Sequence, residues 1–325
     1  MTEDFIASIL GTRVTVREVG MREGLQSHKA VLTTDQKVEI FRGLVDAGCR
    51  EINPVAFVNP GRMPQMADAE AVLRDIAPYA EGTVLSGTVL NERGLERALR
   101  MKEEGLLHSA LFVFSTFADG MRANGITADT ETLFQQIAQC AGICRAEGMS
   151  TVTFISGAFG DTGRVDPDLI YHYARRLHET PGIDEILISD STGQADPIQI
   201  YRFFCGLAEI LPVDRRIGLH MHDTRGAGLA NIAFALASPF QNFVLDSSFG
   251  GWGGDYPFVD DSFGNVPTED LVEMLFGMGI DAGIDVEKIL GVTRYYHDLV
   301  GRGVGSKLHF SSGPLAWKRQ PQAAA

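Results

Sequence analysis

The sequence predicts an α/β fold, a (β/α)8 TIM barrel with a short C-terminal extension. Three observations carry this expectation. Eight short β-branched or apolar runs alternate with helix-periodic segments. Their spacing suits successive βα units, and eight such alternations argue for a parallel sheet closed on itself. At 325 residues with 45% hydrophobic residues, the chain can bury a core of that size as one domain. A doubly wound open sheet is the competing architecture, but no G-x-G-x-x-G follows the first strand.

In chain order, strands are expected over 13–19, 51–56, 83–89, 110–114, 151–155, 185–189, 217–222 and 243–246. Helix-like segments fall at 34–47, 65–76, 92–104, 131–147, 166–179, 197–210 and 227–236. The barrel is expected to span 1–310, with 311–325 as a frayed polar tail. A barrel of this kind gathers its chemistry at the C-terminal ends of its strands. Strand one ends in Glu18-Val19-Gly20-Met21-Arg22-Glu23-Gly24-Leu25-Gln26, and strand two in Asn53-Pro54. Strand three runs into Asn91, strand four ends at Ser115, and strand six closes in Asp190-Ser191-Thr192. After strand eight come Gly250-Gly251-Trp252-Gly253-Gly254-Asp255 and then Gly264-Asn265.

Strand seven holds the most specific signal. His220 and His222 are separated by one residue, and side chains alternate faces along a strand, so both imidazoles point the same way. Paired imidazoles beside hard oxygen donors suit Mg2+ or Mn2+, with Zn2+ also compatible. Glu23 is the candidate carboxylate ligand and Asn265 the candidate amide ligand; for Glu23 a plain surface salt bridge with Arg22 is the competing reading. Arg22 offers a permanent planar charge suited to an enolate or carboxylate oxygen, against simple pairing with Glu18 or Glu23. Asp190 is read either as orienting a ligand or as capping the turn that follows it. The glycine-dense segment 249–264 is expected to be a mobile lid over the barrel mouth.

Composition narrows the function. The net charge is −14 and no basic run exceeds Arg215-Arg216, so a nucleic-acid partner or an anionic membrane surface is not expected. No apolar run approaches the ~20 residues of a membrane span. The N-terminus lacks the basic and apolar regions of a signal peptide. Cys49, Cys140, Cys144 and Cys205 are scattered without zinc-site spacing, and Cys140 and Cys144, one helical turn apart, read as small buried side chains. A reduced, cytoplasmic protein is expected.

The chain resembles the 3-hydroxy-3-methylglutaryl-CoA lyase family, within the wider metallolyase barrels that include isopropylmalate synthase. The matching stretches are Glu18-Val19-Gly20-x-Arg22-Glu23-Gly24-Leu25-Gln26, Phe57-Val58-x-Pro60 with Pro64-Gln65-Met66, and His220-x-His222-Asp223-Thr224. Gly253-Gly254 and Gly264-Asn265-Val266-x-Thr268-Glu269-Asp270-Leu271 complete the set. The resemblance implies metal ligands Glu23, His220, His222 and Asn265, with Arg22 polarising a substrate carbonyl. Gln26 and Asp190 would line the pocket, alongside Asn53, Asn91, Ser115, Gly253 and Gly254 as substrate-binding positions. The implied reaction is carbon–carbon cleavage of a hydroxyacyl-CoA or related hydroxy acid through an enolate, in a homo-oligomer, most simply a dimer.

Four positions depart from the family pattern. Glu23 stands where the family has Asp, Asn53 where it has Glu, Ala56 where it has Ser, and Asp255 where it has the loop cysteine that protonates the enolate. Asp255 is the catalytic proton donor implied here, although an ordinary aspartate pKa of ~3.9 suits that role poorly at neutral pH. Two further readings stay open: an acyl-CoA-dependent condensing transferase of the isopropylmalate synthase type, and a non-catalytic binding protein on the same scaffold. That the chain stops shortly after the barrel favours a lyase over the transferase; retention of every candidate ligand weighs against a non-catalytic role.

Overall fold

The structure, a computed structural model, describes residues 9–115, 128–160, 165–253, 264–301 and 303–311. The eight strands form a closed barrel in sequential order: β1 (Arg13–Glu18), β2 (Glu51–Phe57), β3 (Val84–Val89), β4 (Ser109–Ser115), β5 (Ser150–Ser156), β6 (Glu185–Asp190), β7 (Ile217–Met221) and β8 (Asn242–Ser247). Every pairing is parallel, and β1 closes on β8 from Arg13↔Asn242 to Glu18↔Ser247. The sequence reading of a closed barrel holds, and the open sheet is excluded.

A helix follows each strand: α1 (Thr34–Asp46), α2 (Ala69–Ile76), α3 (Glu92–Glu103), α4 (Thr130–Ala146), α5 (Pro167–Glu179), α6 (Pro197–Leu207), α7 (Gly228–Leu236) and α8 (Thr268–Gly277). Side-chain caps start several of them. Thr33 and Gln36 make a reciprocal capping box on α1, and Asp129 and Asp196 accept from the first-turn amides of α4 and α6. A further helix, α9 (Val286–Val300), packs beside α1 and α8. The helical segment expected at 65–76 is two pieces, a 3-10 turn at Pro64–Met66 and then α2. Cys140 and Cys144 lie on the buried face of α4, as their spacing predicts. Among the described residues, no helix is long and apolar enough to cross a membrane.

The main core lies between strands and helices. The barrel lumen is divided by chemistry. Leu111, Val152 and Leu187, with Val113 and Phe154, fill the side made by β4, β5 and β6. Arg17 of β1 reaches Glu185 of β6, two strands that are not neighbours, so its side chain crosses the lumen. Asn53, His220 and Asp246 are likewise fully or almost fully buried polar groups on strands of the other side. At Asn53-Pro54 the β2–β3 register shifts between Ile52 and Val55. Proline has no N–H to give the ladder, so the irregularity falls where the sequence demands it.

Candidate metal centre

The chain leaves β1 through a single π-helical turn, Gly20–Gly24, whose amides at Arg22 and Glu23 both bond back to the Val19 carbonyl. Such wide turns are uncommon and cost hydrogen-bond geometry, which tertiary contacts must compensate. Gly20 is required here: a Cβ would lie 2.7 Å from the Phe249 ring and from Ser248 Oγ. The turn presents Arg22 and Glu23 side by side, both buried. Arg22 Nε donates to Asn53 Oδ1 at 2.9 Å, and Nη1 meets Glu23 Oε2 at 2.8 Å. Asn53 in turn donates to Ser86 Oγ at 2.9 Å, and its Oδ1 also accepts from Thr88 Oγ1 at 3.3 Å. Asn53 is therefore a holder of Arg22.

His220 is the penultimate residue of β7, and His222 lies just beyond the strand's end at Met221, in an isolated antiparallel bridge with Asn265. Their Nε2 atoms lie 3.1 Å apart. Glu23 Oε1 stands 3.4 Å from the first and 3.5 Å from the second. Three ligand-type atoms thus converge on one point, all within 4.8 Å of one another. At that separation the two Nε2 atoms can share a proton or, with both lone pairs turned inward beside the carboxylate, hold one cation between them. Ligands of one ion with bonds of about 2.1 Å stand about 3 Å apart, which is the spacing observed. The donor set fits a divalent cation.

Electrostatics agree with that fit. Burial pushes the Glu23 carboxyl up, but Arg22 and the two imidazoles outweigh it and hold it well below the usual carboxylate range. Burial pushes His220 down, while Glu23 and Asp246 more than reverse this and raise it. The same negative potential that draws a proton to His220 draws a metal cation. Phe154 stands edge-on to His220, with ring centroids 5.1 Å apart, and forms the apolar wall behind it.

The β8 side supplies the rest of the wall. Asn265 Nδ2 donates to the Trp252 carbonyl at 3.0 Å, which fixes the amide plane. Gly253 passes so close to the π-turn that a Cβ would lie 2.8 Å from the Glu23 carbonyl and from Asn265 Nδ2. The expectation of a lid over 249–264 needs correction at its start. Phe249–Gly251 is a buried 3-10 turn, and Trp252 is fully buried, donating from Nε1 to the Gly303 carbonyl and packing 4.3 Å from the Tyr296 ring. The glycines there serve positive φ values of 67°, 72° and 99° at Gly250, Gly251 and Gly253 rather than mobility. Gly254 and Asp255 lie outside the described residues.

Other expected site residues have local partners. Both carboxylate oxygens of Asp190 accept backbone amides, Oδ1 from Gln194 and Oδ2 from Ala195, so the side chain caps its turn while its carbonyl takes the His222 amide. Asn91 caps α3 by accepting from the Gly94 amide at 3.0 Å. Ser115 is buried at the end of β4, and Gln26 is half-buried just past the π-turn. Sequence reasoning missed Asp246, which meets His220 Nδ1 at 3.0 Å, and Arg17 behind it. Their signal was there: a charge in mid-strand or at the end of an apolar barrel strand has to find a partner in the lumen.

The chain is a closed (β/α)8 barrel whose Glu23-His220-His222 group could hold a metal ion at the C-terminal end of its strands. The chain belongs to the HMGL-like family, whose model matches residues 13–295. It is 34% identical over 281 residues to the hydroxymethylglutaryl-CoA lyase of Pseudomonas mevalonii, covering 86% of this chain and 90% of that one. To the (R)-citramalyl-CoA lyase of Chloroflexus aurantiacus it is 32% identical over 301 residues, covering 89% and 92%. A solved HMG-CoA lyase from Acinetobacter baumannii, in complex with coenzyme A and 3-methylmalate, superposes with a TM-score of 0.84 at 26% identity, covering 93% and 96%. These relatives are lyases, and the chain is an enzyme of their family.

Proposed function

We propose that the chain is a divalent-metal-dependent acyl-CoA lyase that breaks a carbon–carbon bond in a branched hydroxyacyl-CoA of the 3-hydroxy-3-methylglutaryl-CoA kind. The observation that carries this reading is the convergence of His220 Nε2, His222 Nε2 and Glu23 Oε1 beside the Arg22 guanidinium. Glu23, His220, His222 and Asn265 would hold Mg2+ or Mn2+, with Zn2+ also compatible, and the ion would supply Lewis acidity toward a substrate hydroxyl and carboxylate.

Transfer of the hydroxyl proton to a base would let the adjacent carbon–carbon bond break, its electron pair passing into the thioester enolate as the carbonyl product forms. Arg22 would meet that enolate oxygen. Its Nε is held by Asn53 and its Nη1 by Glu23, so the guanidinium is oriented before charge develops. Protonation of the enolate carbon falls to Asp255 on the sequence pattern. Gln26 would line the pocket, and the Asp190 carbonyl, which accepts the His222 amide, would support that ligand. The acyl group is the open variable, because relatives named for two different substrates are similar to nearly the same degree, at 34% and 32% identity.

The test is direct. Purified protein with Mg2+ or Mn2+ is incubated with a panel of hydroxyacyl-CoA thioesters and free hydroxy acids, and products are read by mass spectrometry. A shorter acyl-CoA appearing with a matched carbonyl compound supports the reading. Metal-loaded protein that cleaves no member of the panel overturns it.

A further inference from the structure

Several buried charges not used in that reaction form a continuous ladder inside the barrel. It starts on the far nitrogen of His220, where Nδ1 meets Asp246 Oδ2 at 3.0 Å. Asp246 Oδ1 accepts from Arg17 Nε at 2.7 Å, and Arg17 Nη2 donates to Glu185 Oε1 at 2.8 Å. Glu185 Oε2 accepts from Arg216 Nε at 2.7 Å, and Arg216 Nη2 donates to Glu51 Oε1 at 2.7 Å. Arg17, Glu185 and Asp246 are each only 2% exposed. The ladder therefore runs through the lumen from the metal centre to Arg216, whose partly exposed side chain precedes β7.

We infer that Arg17 is a positioning residue for the metal centre, acting through Asp246 to fix the orientation and tautomer of His220. With Oδ1 of Asp246 occupied by Arg17, Oδ2 is left to receive the Nδ1–H of His220. That bond places the free lone pair on Nε2, the atom facing Glu23 and His222. The geometry needs arginine, because Nε and Nη2 point to two separate carboxylates that a single ammonium cannot both meet along the same directions. A stabilising role alone accounts poorly for the ladder, since buried ion pairs are often no better than well-packed apolar side chains of the same volume. What they supply is fixed geometry, and here that geometry ends on a ligand.

The inference rests on the metal-centre reading, so the experiment separates the two. Mn2+ affinity of the full chain is measured by titration calorimetry for the wild type, His222→Ala, Asp246→Asn, Arg17→Lys and Glu185→Gln, with circular dichroism reporting the folded fraction. The wild type binds one Mn2+, and His222→Ala loses it. Asp246→Asn and Arg17→Lys weaken binding by about 10–100-fold in the folded protein, and Glu185→Gln, one step further out, by less. A purely structural ladder would lower the melting temperature and leave the Mn2+ affinity unchanged. Where Arg17→Lys fails to fold, Asp246→Asn decides, because asparagine keeps the shape and leaves the Arg17–Glu185 pair in place. Wild-type affinity in folded Asp246→Asn overturns the role of Arg17 while leaving the metal centre standing. A wild type that takes up no Mn2+ overturns both.

Discussion

Glu18 Oε2 accepts the Thr268 hydroxyl at 2.6 Å, joining the end of β1 to the start of α8 across 250 residues of chain. Its Oε1 accepts the Gly20 amide at 2.6 Å and the Phe249 amide at 3.3 Å. One fully buried carboxyl thus ties the π-turn that carries Arg22 and Glu23 to the turn after β8. Beside it Glu269 accepts the Gly250 amide and the Thr293 hydroxyl. Burial pushes Glu18 up to about 8 and Glu269 up to about 7, and the hydrogen bonds they accept offset only part of that rise.

A pH dependence of stability follows from those two carboxyls. Their folded pKa values lie above the ordinary 4.5, so the folded state holds protons that the unfolded chain has already lost. Their contribution is full below pH 4.5 and is lost as pH rises, through about 7 for Glu269 and about 8 for Glu18. Urea denaturation between pH 6 and pH 8.5 is expected to show stability falling as pH rises. Each group contributes a slope of up to about 1.4 kcal/mol per pH unit. Glu18→Gln, neutral and of the same shape, is expected to flatten that slope. An unchanged slope in Glu18→Gln refutes the assignment.

His222→Ala is expected to lose bound metal and nearly all turnover while the barrel stays folded. His222 sits beyond the end of β7, outside the strand–helix core, and its Nε2 faces His220 and Glu23. Elemental analysis, circular dichroism and turnover checked together test this. Full metal stoichiometry in the variant would remove His222 from the ligand set.

Arg22→Lys is expected to lower kcat by about 10²–10³-fold, the scale of losing one preorganised donor at a developing oxyanion. An ammonium cannot reproduce the fork that holds Asn53 on Nε and Glu23 on Nη1. The melting temperature is expected to change little, because lysine keeps a positive charge beside Glu23. Near-normal kcat would take Arg22 out of the chemistry.

The barrel itself was legible because its strands are short apolar runs cut off by helix caps and polar ends, and those patterns are local. Strand limits fell within a residue or two, and Asp190 and Asn91 turned out to be caps of the kind their positions before turns and helices permit. The i,i+2 spacing of His220 and His222 gave their common side. It could not give Asp246, because what lies behind an imidazole is decided by strands far apart in sequence. The π-turn was equally hidden: Gly20 is explained by the Phe249 ring 229 residues on, and nothing within the turn's own sequence shows that ring. Glycine density after β8 suggested mobility. The buried Trp252 shows that the first of those glycines instead serve close packing and positive φ.

Gly253 gives the sharpest test of that last distinction. A flexible segment tolerates a methyl group; a packed one does not. At φ 99° an L-residue is strained whatever the space, and a Cβ here would lie 2.8 Å from the carbonyl carbon and oxygen of Glu23 and from Asn265 Nδ2. Two of those three atoms are backbone, so relief requires moving the π-turn or the strand of chain after β8. Either movement displaces Glu23 Oε1 from its place 3.4 and 3.5 Å from the two imidazoles, or turns Asn265 off the Trp252 carbonyl. Gly253→Ala is therefore expected to cost about 1–3 kcal/mol of stability and to weaken Mn2+ binding at least tenfold. Gly105→Ala supplies the control: φ there is 76°, and nothing lies within 4 Å of the added Cβ, so strain comes without a clash. That variant is expected to lose stability by backbone strain alone and to bind Mn2+ as the wild type does. Equal Mn2+ affinity in the two variants would mean that Gly253 does not hold the metal centre, and that the chain after Trp252 gives way as the glycine density first suggested.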